Sequence, residues 1–368
     1  MAVGNPVSEL STVYRFSHSN AFGSLRLLLA SFVIISHVPE LYYGSRDFEA
    51  INAIFGTVSL GDIAVDGFFI ISGYLITASV VGSPTNWAYL KKRLARIYPG
   101  FLCAYLICVG IVAPLGGATM PGNPGEFFSV LMRALLLQPP NLGTVFAGSP
   151  FPFLNTPMWT ISIEFKCYLL TLLLWWLGVL GRRRWLLGVT IIVLLANLFI
   201  QLDHYPFDMT PTERPIPNVF NGAEWQTLVL GNKRGWVRLT GMYLSGTCFY
   251  LFRDLVRFRL SFVIGAAVCL SMCLFFDPLA NLATGIFGAY LVFAIAMGNT
   301  ENLLAKINNR NDISYGVYLY GWPVTKLLID NVHNLSSTGV AVLALAFSYL
   351  AGWLSWHLIE KPWMRRAR

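Results

Sequence analysis

Along the chain, apolar stretches long enough to cross a bilayer alternate with short polar or basic breaks. A helix rises about 1.5 Å per residue, so a span takes roughly 20 mostly apolar residues. Runs approaching that length lie at about 25–43, 62–81, 100–116, 158–180, 185–202, 238–252, 260–276, 279–298, 312–333 and 338–358. The third and sixth are short. The stretch FFSVLMRALLLQ, 127–138, is too short to cross and has Pro- and Gly-rich flanks, so it predicts an interfacial or re-entrant helix. The pattern predicts an all-α fold, a polytopic membrane helix bundle of about ten transmembrane helices with both termini on one side. The expected division is an N-terminal segment 1–24, one transmembrane domain 25–360 with outer loops at about 117–157 and 203–237, and a basic tail 361–368.

Composition agrees: 55% of residues are hydrophobic and 12% charged, where a soluble domain carries about a quarter charged. Charge then orients the bundle. Arg15, Lys91, Lys92, Arg93, Arg96, Arg182, Arg183, Arg184, Arg253, Arg257, Arg259, Lys306, Arg310, Lys361, Arg365, Arg366 and Arg368 fall together on one side, with the two termini, while the other side holds Arg46, Arg133, Arg214, Lys233 and Arg234. The positive-inside rule makes the first side cytoplasmic. It also accounts for the net charge of +8 without a nucleic-acid partner. The N-terminus lacks the short apolar core and small-residue cleavage site of a leader, so the first span is expected to persist. The six cysteines all fall in predicted spans without metal-ligand spacing, which predicts buried free thiols and no metal.

Charged groups at membrane depth are costly and mark candidate chemistry. In LRLLLASFVIISH, Arg26 and His37 are eleven residues apart, three helical turns, so they share a face about 16 Å apart. Glu164, in TPMWTISIEFKCYLL, enters from the opposite surface and reaches a similar depth to His37, which predicts a general-base pair of imidazole and carboxylate. Thr160, one turn before Glu164, is expected to hold it by a hydrogen bond. In YLKKRLARIYPG, Arg93 and Arg96 share a face and form a candidate phosphate fork. Asp66, Ser72 and Gly73 in AVDGFFIISGYLI are candidates for lining a passage or for close helix contact. Plainer roles stand beside these: a hydrogen-bonded packing histidine, a snorkelling Arg26, and an ordinary basic flank.

Taken together these segments resemble the acyltransferase 3 family of bacterial membrane O-acyltransferases along nearly the whole chain. The Arg-x10-His hallmark is met by Arg26 and His37, and VDGFFIISGYLI, RLARIYP, MWTISIEFKCY, ISYGVYLYGWPV and WHLIEKP follow in the family's order. The resemblance implies acetyl-CoA, or another acyl-CoA, as a cytoplasmic donor and a hydroxyl of an extracytoplasmic glycan or glycolipid as acceptor. Arg26, Arg93 and Arg96 would hold the anionic end of CoA, with Tyr315 among the passage-lining residues. His37 would deprotonate the acceptor or carry the acyl group briefly. Gly23 departs from the pattern, since many relatives have an acidic residue three before the Arg. That leaves Arg26 without a local partner. A multi-pass protein of the bacterial inner membrane is implied. The alternative is a transporter or flippase for a lipid-linked saccharide, for which internal inverted repeats would be the sign; none is evident.

Overall fold

The structure, a computed structural model, describes residues 20–143, 145–203, 233–297, 306–309 and 311–367. Arg15, His18, His204, Arg214 and most of the predicted outer loop at 203–237 lie outside the described residues. The main helices are α1 (Phe22–Tyr43), α2 (Leu60–Val81), α3 (Asn86–Leu115), α4 (Pro124–Leu135), α5 (Thr156–Trp176), α6 (Arg183–Asp203), α7 (Lys233–Leu251), α8 (Leu260–Cys273), α9 (Asp277–Met297), α10 (Ser314–Asn331) and α11 (Ser337–Arg366). No strand occurs among the described residues. Seven of these helices are long and apolar enough to cross a membrane: α1, α2, α3, α5, α6, α9 and α11. Helix α8, at 14 residues, is shorter than a bilayer crossing needs. Helix α4 matches the expected short element between the third and fourth runs.

The sequence marks the starts of these helices. Ser59 and Asp62 form a reciprocal capping box on α2, Thr85 caps α3, Asn123 caps α4 and Ser336 caps α11. Gly44, at φ 78°, ends α1 in the left-handed conformation. Packing then depends on small residues, as it does wherever lipid removes the hydrophobic drive between helices. Helices α2 and α7 cross at Gly73 and Gly246: a Cβ on Gly73 would stand 1.9 Å from the Tyr243 carbonyl oxygen, and one on Gly246 1.9 Å from that of Ile70. Helices α10 and α11 touch in the same manner at Gly316 and Gly352.

Large apolar side chains such as Leu106, Trp185, Ile192, Phe199, Leu260 and Leu358 point out of the bundle, the surface a lipid-facing helix presents. The cysteines are free, as expected, but only Cys108, Cys167 and Cys248 are buried; Cys269 faces outward. Helix polarity alternates so that α1, α3 and α10 begin, and α2 and α11 end, at one end of the bundle. Arg26 meets Asp312 there, and Arg93 meets Ser79. That end carries Lys91, Lys92, Lys361, Arg365 and Arg366, and is the basic end below; the opposite one is the far end.

Candidate active site

A cavity of about 800 Å³ opens at the basic end between α1, α2, α3, α5 and α11. Its wall carries Arg26, Arg93, Arg96, Ser72 and Glu164. Two of the arginines are matched by acids. Asp312, in the turn before α10, accepts from Arg26 Nη1 and from Arg96 Nη2, each at 2.6 Å. Glu360 accepts from Arg96 at 3.3 Å and from Ser355 Oγ at 3.0 Å. Glu360 closes a π-helical turn, Trp356–Glu360, and stands two residues before Pro362, whose ring supplies no N–H. This turn places Glu360 fully inside and starts the terminal helical stretch, Lys361–Arg366, at the cavity mouth. The segment expected to be a basic tail is thus a piece of the cavity wall.

Gly23 now has a reason. A Cβ there would stand 2.8 Å from the Asn308 carbonyl oxygen, so an acidic side chain has no room. Asp312 supplies the carboxylate to Arg26 from across the bundle, and Asn308 steadies both by donating to Gly23 O and Asp312 Oδ1.

His37 does not pair with Glu164. Glu164 faces the cavity and accepts from Tyr168 at 2.6 Å and Ser72 at 3.2 Å. His37 is off the cavity wall; its Nδ1 lies 3.0 Å from Glu40, three residues on along the same helix, and its ring packs edge-on to Trp322 at 5.0 Å between centroids. Helix rise fixes how deep a residue sits, whereas its azimuth fixes what it meets. The two residues point to different neighbours. Thr160 likewise does not hold Glu164, but meets Tyr318 Oη at 2.7 Å and Pro157 O at 3.0 Å. Asp66 is spent on Arg238, at 3.0 Å, away from the cavity. Tyr315 is buried beneath Arg96 and donates to Ile97 O rather than lining the passage. Of the pair Ser72 and Gly73, the first lines the cavity and the second makes the α2–α7 crossing.

At the far end Glu40 is the centre of a charged chain. Its second oxygen accepts from Arg46 Nε at 2.9 Å; Arg46 reaches Asp62 at 3.7 Å; and Arg238 bridges Asp62 and Asp66. Burial disfavours the charge on Arg46, but Asp62 and Glu40 outweigh it and hold the guanidinium protonated above its ordinary range. With Glu40 accepting, Nδ1 carries a proton, and the neutral imidazole of that tautomer presents its lone pair on Nε2. Such an imidazole accepts a proton from a hydroxyl while the carboxylate steadies the resulting cation.

Helix α10 links the two regions. Asp312 precedes it at the cavity mouth, Tyr318 packs on Phe68 of the cavity wall, and Trp322, one turn further, packs on His37. Ten residues from Asp312 to Trp322 amount to about 15 Å. Pro323 removes the backbone donor that would bond Leu319 O, and the side-chain amide of Asn155 takes its place at 2.8 Å. Beyond lies Lys326, 2% exposed, with its ammonium over the Phe146 ring and hydrogen-bonded to Ser149 Oγ. Among the described residues no group of three or more His, Cys, Asp or Glu is placed to hold a metal ion.

The family profile described as an acyltransferase domain, acyltransferase 3, matches residues 20–357. This chain belongs to that family. It is 25% identical over 366 residues to an O-acetyl transferase of Shigella phage Sf6, covering 95% of this chain and 97% of that one. It is 24% identical over 382 residues to Nodulation protein 10 of Rhizobium leguminosarum bv. viciae, 96% of each. It is also 33% identical over 154 residues to acyltransferase MdmB of Streptomyces mycarofaciens, 41% of this chain and 38% of that one. No solved structure matches. In this acyltransferase, sequence reasoning missed Glu40, Arg46, Arg238, Asp312, Glu360 and Lys326. Glu40 had a signal, since an acid three residues after His37 shares its helix face. Asp312 and Glu360 had only the weaker one of acids beside apolar runs.

Proposed function

We propose that this acyltransferase moves an acyl group, acetyl in the first instance, from a coenzyme A thioester entering at the basic end to a hydroxyl of a glycan or glycolipid at the far end. The observation that carries this is the pairing of a basic cavity with a His37–Glu40 base about 15 Å away along α10. The cavity takes the donor's nucleotide. Its pantetheine arm runs past Ser72 and Glu164, which accept or donate hydrogen bonds to its amides, and displaces the contact of Phe68 with Tyr318 to bring the thioester to His37.

There His37 Nε2 takes the proton of the acceptor hydroxyl as its oxygen attacks the thioester carbonyl; the C–S bond breaks, and the proton passes to the departing thiolate to give free coenzyme A. Glu40 keeps the ring oriented and stabilises the imidazolium. The variant in which His37 Nε2 itself takes the acyl group first uses the same atoms in two steps. The same proposal sets the basic end in the cytoplasm, gives about ten crossings with both termini inside by counting α7, α10 and the short α8 with the seven apolar spans, and assigns the protein to the bacterial inner membrane. The phage relative, an O-acetyl transferase by name, supports acetyl transfer to oxygen.

The test is purified protein with acetyl-labelled acetyl-CoA, together with the surface-glycan profile of a strain lacking the protein. Loss of O-acetyl groups from a glycan and label release that depends on His37 are expected. Thioester left intact in both the presence and absence of acceptor would sink the proposal and favour a flippase.

A further inference from the structure

The cavity mouth holds more positive charge than its own acids use. Asp312 and Glu360 engage Arg26 and Arg96. Lys92, Arg93, Lys361 and Arg365 also line the cavity, and no carboxylate lies within 4.0 Å of any of them among the described residues. Glu164, the remaining acid on the wall, is bonded to Ser72 and Tyr168. Lys361 has Asn311 Oδ1 at 3.1 Å as its hydrogen-bond partner. Arg93 is held between the Tyr89 and Tyr168 rings, each 5.8 Å away, and donates to Ser79 at 3.3 Å. Its Nε is buried with no acceptor among the described residues, an arrangement that costs about 1–3 kcal/mol unless a ligand supplies one.

Two positions are thus distinguished. Arg93 is inward, against α2 and α5; Lys361 and Arg365 are one turn apart on the terminal helical stretch and share a face at the rim.

Resting on the coenzyme A donor proposed above, we infer that Lys361 and Arg365 form a binding site for the ribose 3′-phosphate of the donor, and that Arg93, with Lys92, takes its diphosphate. The terminal helix of the chain is then a specificity element that distinguishes coenzyme A from thioesters lacking that phosphate. Arg96, which spacing nominates for phosphate beside Arg93, and Arg26, which the family resemblance nominates, instead form the wall with Asp312 and Glu360. The shared chemistry is a phosphate dianion or monoester, which an anionic lipid headgroup at the same rim would also offer.

The experiment compares acetyl-CoA, acetyl-dephospho-CoA and S-acetyl-pantetheine as donors for the full chain in lipid nanodiscs, either zwitterionic or with added anionic lipid. Lys361→Gln/Arg365→Gln is expected to raise KM for acetyl-CoA about tenfold or more, the worth of one or two charge-assisted hydrogen bonds, and to leave the other two donors unchanged. Arg93→Gln should raise KM for both nucleotide donors and spare the pantetheine thioester. Lys361→Arg/Arg365→Lys should restore the wild-type pattern, which separates lost charge from a damaged fold. Equal losses on all three donors, or no loss on any, would overturn the site while leaving the donor assignment standing. Variants that keep their acetyl-CoA KM but lose a stimulation by anionic lipid would assign the rim to headgroups and also overturn it. Wild-type protein that ignores every thioester would remove the donor, and the site with it.

Discussion

The two ends of α10 carry charged clusters built in opposite ways. At the basic end the acids come from afar: Asp312 is 286 residues from Arg26, and Glu360 is 264 from Arg96. At the far end, the acid that orients His37 is three residues away on the same helix. The first cluster exists only once α1, α3, α10 and α11 have assembled. The second is largely written into one helical turn. On the proposed function, binding geometry and fold are therefore joined at the basic end, whereas at the far end the local His37–Glu40 pair would be separable from assembly.

That contrast is most sharply tested by His37→Ala. It should cut transfer by about 10²–10⁴-fold, the worth of a general base, with the melting temperature and CoA affinity held near wild type; comparable transfer by the variant would end the assignment. Asp312→Ala should do the reverse. It leaves Arg26 and Arg96 without their shared acid, a change that costs on the order of 3–5 kcal/mol for buried pairs, and is read as a lower thermal midpoint of the detergent-solubilised protein. A midpoint within a degree of wild type would show that the basic end is not what couples binding to fold.

Glu40→Gln should slow transfer by roughly a hundredfold, since the ring keeps its packing on Trp322 but loses its negative partner, with KM for the donor unchanged. Glu164→Gln is the matched control: it should raise donor KM with little change in kcat, and an equal fall in kcat for both variants would return Glu164 to the side of the base. The smallest effect is expected from Gly23→Asp, which supplies the acid that the family resemblance leads one to expect there but drives it into the Asn308 carbonyl. Overpacking of this kind costs about 1–3 kcal/mol, and a stabilised variant would count against Asp312 as the substitute.

Hydrophobic run length located a segment of each main helix, because a span needs roughly the same number of apolar residues whatever the fold, but it missed the basic first half of α3 and the last turns of α11, which continue as helix beyond the apolar run. It also drew the line from Arg26 to His37. What it left open was azimuth and partnership. Glu164 and His37 were legible as costly groups, but which neighbour each faces depends on how α5 rotates against α2 and α10. Asp66 and Arg238 illustrate the same limit: the acid was visible within VDGFFIISGYLI, while its cation, 172 residues on, carried no mark tying the two together.

Gly73 and Gly246 carry a consequence for variation in this chain. Each would collide with a backbone carbonyl rather than with a side chain. A clash against a side chain can be relieved by a second substitution that shrinks the neighbour, so such positions drift in pairs. A carbonyl oxygen belongs to every residue alike, and no replacement at Tyr243 or Ile70 makes it smaller. Sequence space around these two sites is closed without a compensating route, and neither should show a covarying partner in any large library of functional variants.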